Sequence, residues 1–130
     1  MYTIGTDITT VSRIEKSCRK ESFRNHVFTR KELALFYNRE KPKFASLAAN
    51  FAAKEAFSKA LGTGIRGFSL NEVEILRDDL GAPYFTFYGS AADIVLAGGY
   101  RRQVSLSHEG DTAIAFVLLE KSEKTEKKNL

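Results

Sequence analysis

The sequence predicts an α+β fold: a small single domain in which an antiparallel sheet packs on one long central helix. Three observations support this. An alanine-rich stretch from about Lys43 to Leu61 has no internal glycine or proline and reads as the longest helix. "NEVEIL" and "PYFTFY" read as two strands joined across the turn-rich "RDDLGA", the pattern of an antiparallel pair. "QVSLSH" and "TAIAFVLLE" read as two more, with "EGD" turning between them. At 130 residues the chain fits one domain that buries about two-thirds of its unfolded surface, so it needs no staples to fold.

The elements follow in order. In "YTIGTDI", Tyr2, Ile4, Thr6 and Ile8 alternate with Thr3, Gly5 and Asp7, which predicts a strand whose buried face carries the first set. Asp7 then lies near the strand's end on the other face. Val11, Ile14 and Cys18 recur at helical spacing after Thr9 and Thr10, either of which caps a first helix carrying Arg13, Lys16 and Arg19. In "VFTRKELALF", Thr29 and Glu32 form a capping box, with Phe28 against Leu33 as a hydrophobic staple. Pro42 breaks the chain before the long helix, and Gly62 is placed to end it. "GSAADIVLAGG" predicts a brief helix closed by two glycines. Residues 1–120 form the domain, and 121–130, with four lysines and two glutamates and no apolar periodicity, are expected to be a disordered tail.

Composition narrows the function. A single cysteine, Cys18, excludes an internal disulfide and a multi-cysteine metal cage, and fits a reducing, cytosolic setting. No run approaches the ~20 apolar residues of a membrane helix, and the first residues lack the features of a leader. The net charge of +4 is uneven: from Arg13 to Lys31 seven basic residues stand against two acidic ones. That stretch is either a solvated helix face or a dock for something acidic.

Glu55 is the residue that asks for an explanation. On a helical wheel, Phe44, Leu47, Ala48, Phe51 and Ala52 form one apolar arc, with Glu55 in its middle and Lys59 at its far edge. A buried carboxylate costs several kcal/mol unless it is paired or bound to metal. One partner is Lys59 itself, since Glu and Lys at i, i+4 stabilise a helix by about 0.2–0.5 kcal/mol. The other reading opens Glu55 into a cleft where Lys59 meets an anion and a hard dication such as Mg²⁺ sits between carboxylates and phosphates. Asp7 is the best second carboxylate, or else an ordinary turn cap. "GTGIRG" matches a dinucleotide-binding pattern literally, but its glycines close a helix where that motif must open one. The glycines Gly62 and Gly64 still leave backbone amides able to approach a phosphate. "SLSHEGD" is too crowded for a nucleophilic triad. His108 reads as a contact to a phosphate or aromatic ring, or as a histidine hydrogen-bonded at a strand end.

Taken together, "IGTDI", "FTRKEL", "FAAKEAFSKALGTGI", the "GAP" turn and "VSLSHE", in this order over about residues 2 to 120, resemble the small bacterial holo-[acyl-carrier-protein] synthases. These belong to the 4'-phosphopantetheinyl transferases, whose fold the chain is expected to share. The resemblance implies a Mg²⁺-dependent transfer of 4'-phosphopantetheine from coenzyme A to a serine of apo acyl carrier protein, releasing adenosine 3',5'-bisphosphate. It implies that Asp7 and Glu55 hold the metal on the coenzyme A pyrophosphate, that Lys59 contacts the same phosphates, and that His108 lies by the 3'-phosphate. Glu55 is the candidate general base, so Asp7, Glu55 and Lys59 form the catalytic set. Gly62, Gly64, Pro83 and Lys43 join Lys59 and His108 as expected coenzyme A contacts. The basic stretch becomes a carrier-protein dock led by Arg13, with Arg19, Lys20 and Arg24 behind it. A homotrimer with active sites between subunits is also implied. Many members carry an arginine, which helps bind the 3'-phosphate, where this chain has Asn50; Lys41 or Lys43 is placed to compensate. The stretch from Gly89 to Arg102 is longer than in compact members. Two other readings compete: a small basic nucleic-acid-binding module using the five tyrosines and ten phenylalanines, and a metal-dependent phosphohydrolase with water as acceptor.

Overall fold

Alanine governs how the domain is built, because a helix with small side chains on every side can be covered on every side. That helix is α4 (Phe44–Leu61). In the computed structural model, which describes residues 1–38 and 40–122, three strands pack on it: β1 (Tyr2–Thr10), β4 (Tyr100–Glu109) and β5 (Thr112–Lys121), antiparallel in the order β1-β5-β4. A second antiparallel sheet pairs β2 (Val73–Arg77) with β3 (Pro83–Phe87). The expected single sheet is therefore divided in two. The remaining helices are α1 (Val11–Ser17), α2 (Glu21–Val27), α3 (Arg30–Phe36) and α5 (Gly89–Gly98), with a short 3-10 turn at Leu70–Glu72.

Local signals account for most boundaries. Thr29 and Glu32 complete both halves of the capping box that starts α3. Gly62 ends α4 in the left-handed conformation at φ 80°. Phe28 and Leu33 belong to one core cluster, as a staple requires. The basic stretch differs from expectation, since it runs through two short helices and a turn into the start of α3, which carries Arg30 and Lys31. Arg13 and Lys16 lie on α1, Arg19 falls beyond its end, Lys20 caps α2 and Arg24 lies within it. Lys20 makes no side-chain capping bond, so α2 carries no start signal for a sequence reading to find. Lys121 belongs to β5, one residue past the expected domain boundary, and residues 123–130 of the tail lie outside the described residues.

From Leu47 to Ala60, every residue of α4 is buried except Phe51, Glu55 and Lys59. This corrects the helical-wheel picture of one apolar arc facing the core. Alanines bury the helix all round and leave a single open line at i, i+4 and i+8, on which Glu55 and Lys59 stand. Two apolar clusters flank the helix. One gathers Phe57 with Phe68, Phe85 and Phe87 at ring-centroid distances of 5.7, 5.7 and 4.9 Å. The other holds Ile14, Cys18, Val27, Phe28, Phe36 and Leu47. Nine of the ten phenylalanines pack into or against these clusters, the exception being Phe116. The phenylalanines are thus spent on the core, whereas Tyr2, Tyr84 and Tyr88 remain exposed.

One buried ion pair ties α4 to its neighbours. Lys54 and Glu32 are both fully buried, with 2.7 Å between Nζ and Oε1. The ammonium also donates to the carbonyls of Leu70 (3.1 Å) and Val73, so all three of its protons are used. Glu32 accepts as well from the Asn50 amide (2.8 Å) and from the Thr29 and Ile75 N–H groups. Burial lowers the Lys54 pKa, and the charge of Glu32 opposes that shift. We expect Glu32→Ala, which strands a buried cation and three donors, to cost about 3–5 kcal/mol. Urea unfolding checks this as a fall in midpoint.

Candidate active site

The site begins with a glycine. A Cβ at Gly5 would lie 1.9 Å from the Ala56 carbonyl oxygen and 2.8 Å from the Ala60 nitrogen, so only glycine lets β1 touch the backbone of α4. This settles which face of β1 points inward. Gly5 and Thr9 are buried and Asp7 is half-buried, whereas Tyr2, Ile4 and Ile8 are 64%, 61% and 67% exposed. The expectation that the Tyr2, Ile4, Thr6, Ile8 face is buried is therefore inverted within this chain. Alternation marks an apolar face without saying what covers it, and the close approach at Gly5 decides in favour of the other.

Two residues past that contact, β1 meets the last turn of α4. Lys59 Nζ donates to Asp7 Oδ1 and to the Thr6 carbonyl, each at 3.0 Å, and Thr9 donates to Asp7 Oδ2 at 3.3 Å. The partner of Lys59 is therefore Asp7, from a different element, and not Glu55 one turn away. The Lys59 side chain is 56% exposed, so the pair contributes at most about 1 kcal/mol to stability. Its significance lies in where it places a cation. Glu55, on the same open line of α4, has a raised pKa: partial burial contributes most, the negative charge of Asp7 adds to it, and Lys59 and Arg13 oppose it. Two carboxylates and two cations thus converge from β1, α4 and α1. The placement of Gly5 and Thr9 beside Asp7 escaped the sequence reading; the only signal was a glycine interrupting an otherwise β-prone strand.

The other expected contacts are spread more widely. Gly62 and Gly64 follow Lys59 in left-handed conformations, φ 80° and 67°, with nothing within 4 Å of an added Cβ. They leave open space around the backbone that follows α4. His108 is exposed on β4 and pairs across β5 with Ala113, which pairs with Thr9. It shares the inward face with Asp7, two strands across and two residues along, or about 12 Å. Pro83 starts β3 and borders a cleft of about 470 Å³ with Tyr84, Phe85 and residues 101–104. Lys43 caps the opposite end of α4, about 24 Å from Lys59 by helical rise. One chain does not bring Lys43 to the carboxylates. Asn50 is fully buried, bonded to Glu32, to the Ile75 carbonyl and to Arg77, whose Nη2 donates to Oδ1 at 2.9 Å. Its role is internal. Among the basic residues assigned to carrier docking, Arg24 donates to the Cys18 carbonyl (2.6 Å) and stacks on Tyr37; Arg13, Arg19 and Lys20 are exposed.

Against known proteins, the family model of the 4'-phosphopantetheinyl transferase superfamily matches residues 3–117. The chain belongs to this superfamily. It is 43% identical over 119 residues to the holo-[acyl-carrier-protein] synthase of Clostridium acetobutylicum, covering 90% of this chain and 95% of that one. The crystal structure of the Neisseria meningitidis holo-[acyl-carrier-protein] synthase superposes with a TM-score of 0.82 at 40% identity, over 92% of this chain and 98% of that one. The Helicobacter pylori enzyme, solved in complex with coenzyme A, superposes with a TM-score of 0.73 at 31% identity, over 90% and 99%.

The donor set fits a hard dication. Asp7 and Glu55 are near enough for the charge of one to raise the proton affinity of the other, and a positive ion between them removes that conflict. No group of three or more histidine, cysteine, aspartate or glutamate side chains suited to a metal occurs among the described residues. Mg²⁺ takes one or two protein carboxylates and completes its shell with water and phosphate oxygens, a role for which Asp7 and Glu55 are the chemically suited pair.

Because the folded state raises the Glu55 pKa, it binds that proton more tightly than the unfolded chain does. The stabilisation is full at acid pH and is lost as pH rises through the folded-state value, above the ordinary 4.5. Without metal or substrate, Glu55→Gln should therefore melt higher than wild type at pH 7 and equally at pH 4. Thermal unfolding at the two pH values checks this.

Proposed function

We propose that this chain acts as a holo-[acyl-carrier-protein] synthase. It transfers the 4'-phosphopantetheine group from coenzyme A to a serine hydroxyl of apo acyl carrier protein and releases adenosine 3',5'-bisphosphate. The observation that carries the reading is the convergence of Asp7, Glu55 and Lys59, from two elements distant in sequence, in a chain whose relatives bear that name.

The reaction forms a bond from the serine oxygen to the β-phosphorus and breaks the bond from that phosphorus to the bridging oxygen of the leaving nucleotide. Catalysis then consists of alignment and charge neutralisation. Asp7 and Glu55 would hold Mg²⁺ against the pyrophosphate, and the bound ion would supply positive charge to the transferring and leaving oxygens. Lys59, held by Asp7 and the Thr6 carbonyl, presents its ammonium to the same phosphates. Glu55 is the candidate to take the serine proton, directly or through a water. Gly62 and Gly64 leave the path to Lys59 free of side chains. The basic face from Arg13 to Lys20 meets the acidic carrier. A cytosolic location fits the lone Cys18, whose pKa burial raises to about 11, and no described helix is long and apolar enough to cross a membrane.

Incubation with coenzyme A, Mg²⁺ and an apo carrier should add one phosphopantetheine arm to the carrier by mass spectrometry. Asp7→Ala and Glu55→Ala should abolish the gain while remaining folded. Turnover of coenzyme A without carrier would favour the hydrolase, and tight, salt-dependent nucleic-acid binding the third reading.

A homotrimer is part of this reading. The outer face of the β1-β5-β4 sheet exposes Ile4, Ile8, Ile114 and Phe116, a contiguous apolar surface that a soluble chain covers with another subunit. A neighbour seated there also supplies contacts, such as Lys43, that one chain cannot bring to the carboxylates. Phe116→Glu should convert trimer to monomer by light scattering and lower transfer at least tenfold.

A further inference from the structure

The helix that bears Arg13 is not capped by its own sequence. Thr10, at the N-cap of α1, makes no side-chain hydrogen bond, and the first turn contains no acid. At seven residues, α1 is too short to persist without tertiary support. The missing cap comes from the far end of the chain. Asp111 accepts from Ser12 N–H at 2.8 Å and from Ser12 Oγ at 2.6 Å, and its backbone carbonyl accepts from Val11 N–H at 2.8 Å. Its carboxylate thereby satisfies free amides and sets a negative charge at the start of the helix.

The placement follows from the sheet. Asp111 sits in the turn between β4 and β5, where Gly110, at φ 56°, permits the reversal. The register Thr10 to Thr112 brings this turn beside the point where β1 becomes α1. His108 lies three residues before Asp111, and Arg13 one residue after Ser12. Asp111 therefore stands where the β4–β5 turn meets the end of β1, and its side chain ties that point to the first turn of the basic helix.

We propose that Asp111 is a positioning residue that holds α1, and Arg13 on it, at the angle in which the carrier protein is received beside Asp7 and Glu55. The proposal rests on the reading of α1 as the carrier-docking helix. Transfer by the full chain is measured with coenzyme A and carrier varied separately. Wild-type transfer tests the activity itself, whatever Asp111 does.

Asp111→Ala should raise the KM for carrier about fivefold, the size of a lost helix cap, and change the KM for coenzyme A less than twofold. Asp111→Asn keeps a carbonyl acceptor for Ser12 N–H and should recover most of the loss. An unchanged carrier KM in Asp111→Ala overturns the proposal. So does an equal rise in both KM values with a parallel loss of thermal stability, which marks a general structural role. If Asp111→Ala does not fold, Ser12→Ala decides: a rise of about twofold confined to the carrier KM supports the proposal, and no rise overturns it.

Discussion

The contact that positions everything else is the one that has no side chain. With hydrogen alone at position 5, β1 lies directly on the backbone of α4 at Ala56 and Ala60. Strand and helix then run together long enough for Asp7 to reach Lys59, with Glu55 one turn back on the same helix. A methyl at Gly5 would have to separate the two elements, and Asp7 would be drawn away from Lys59 and Glu55. Site geometry here is a by-product of backbone packing, set two residues upstream of the first carboxylate.

The two ion pairs of α4 divide labour. Lys54 with Glu32 is inaccessible to water, fully hydrogen-bonded and linked to α3, the Leu70 turn and β2. A pair of that kind fixes one arrangement, because any other leaves a charge unpaired in the interior. Lys59 with Asp7 is open to solvent and adds little to folding. It can therefore exchange its partner for a phosphate at small cost. The spacing of five residues from Lys54 to Lys59 turns one lysine inward and the other outward.

The sequence made much of this legible wherever a local rule decided the outcome. Thr29 and Glu32 announced α3, Gly62 closed α4, and "GSAADIVLAGG" formed the brief helix expected of it. The order of motifs led to the family, and the convergence of Asp7 with Lys59 agrees with it. What stayed hidden depended on tertiary context. The faces of β1 were inverted because the strand is apolar on the side that one chain leaves open. α2 lacks a capping side chain. The burial of Asn50 and Lys54 in α4, and of Glu32 in the first turn of α3, was invisible because polar residues in a helix look like solvent positions until the neighbours are known. Lys43, Pro83 and His108 lie apart from the carboxylates within this chain, at the start of α4, on β3 and on β4, a spread that no local sequence rule reports.

The order β1-β5-β4 makes the last strand of the sheet the middle one. As the polypeptide leaves the ribosome, β1 emerges first and waits for roughly a hundred residues before its partner exists, a delay on the order of 5–20 seconds at ordinary elongation rates. During that interval its unpaired edge and the isoleucines Ile4 and Ile8 are exposed to other nascent chains. Nearly all the long-range pairing of the sheet then falls into place at once when Thr112–Lys121 appears. Immediately downstream the sequence is crowded with lysine and glutamate, and such charge beside a β-prone run discourages intermolecular pairing. The β-prone run Thr112–Lys121 is thus followed at once by a sequence dense in charge.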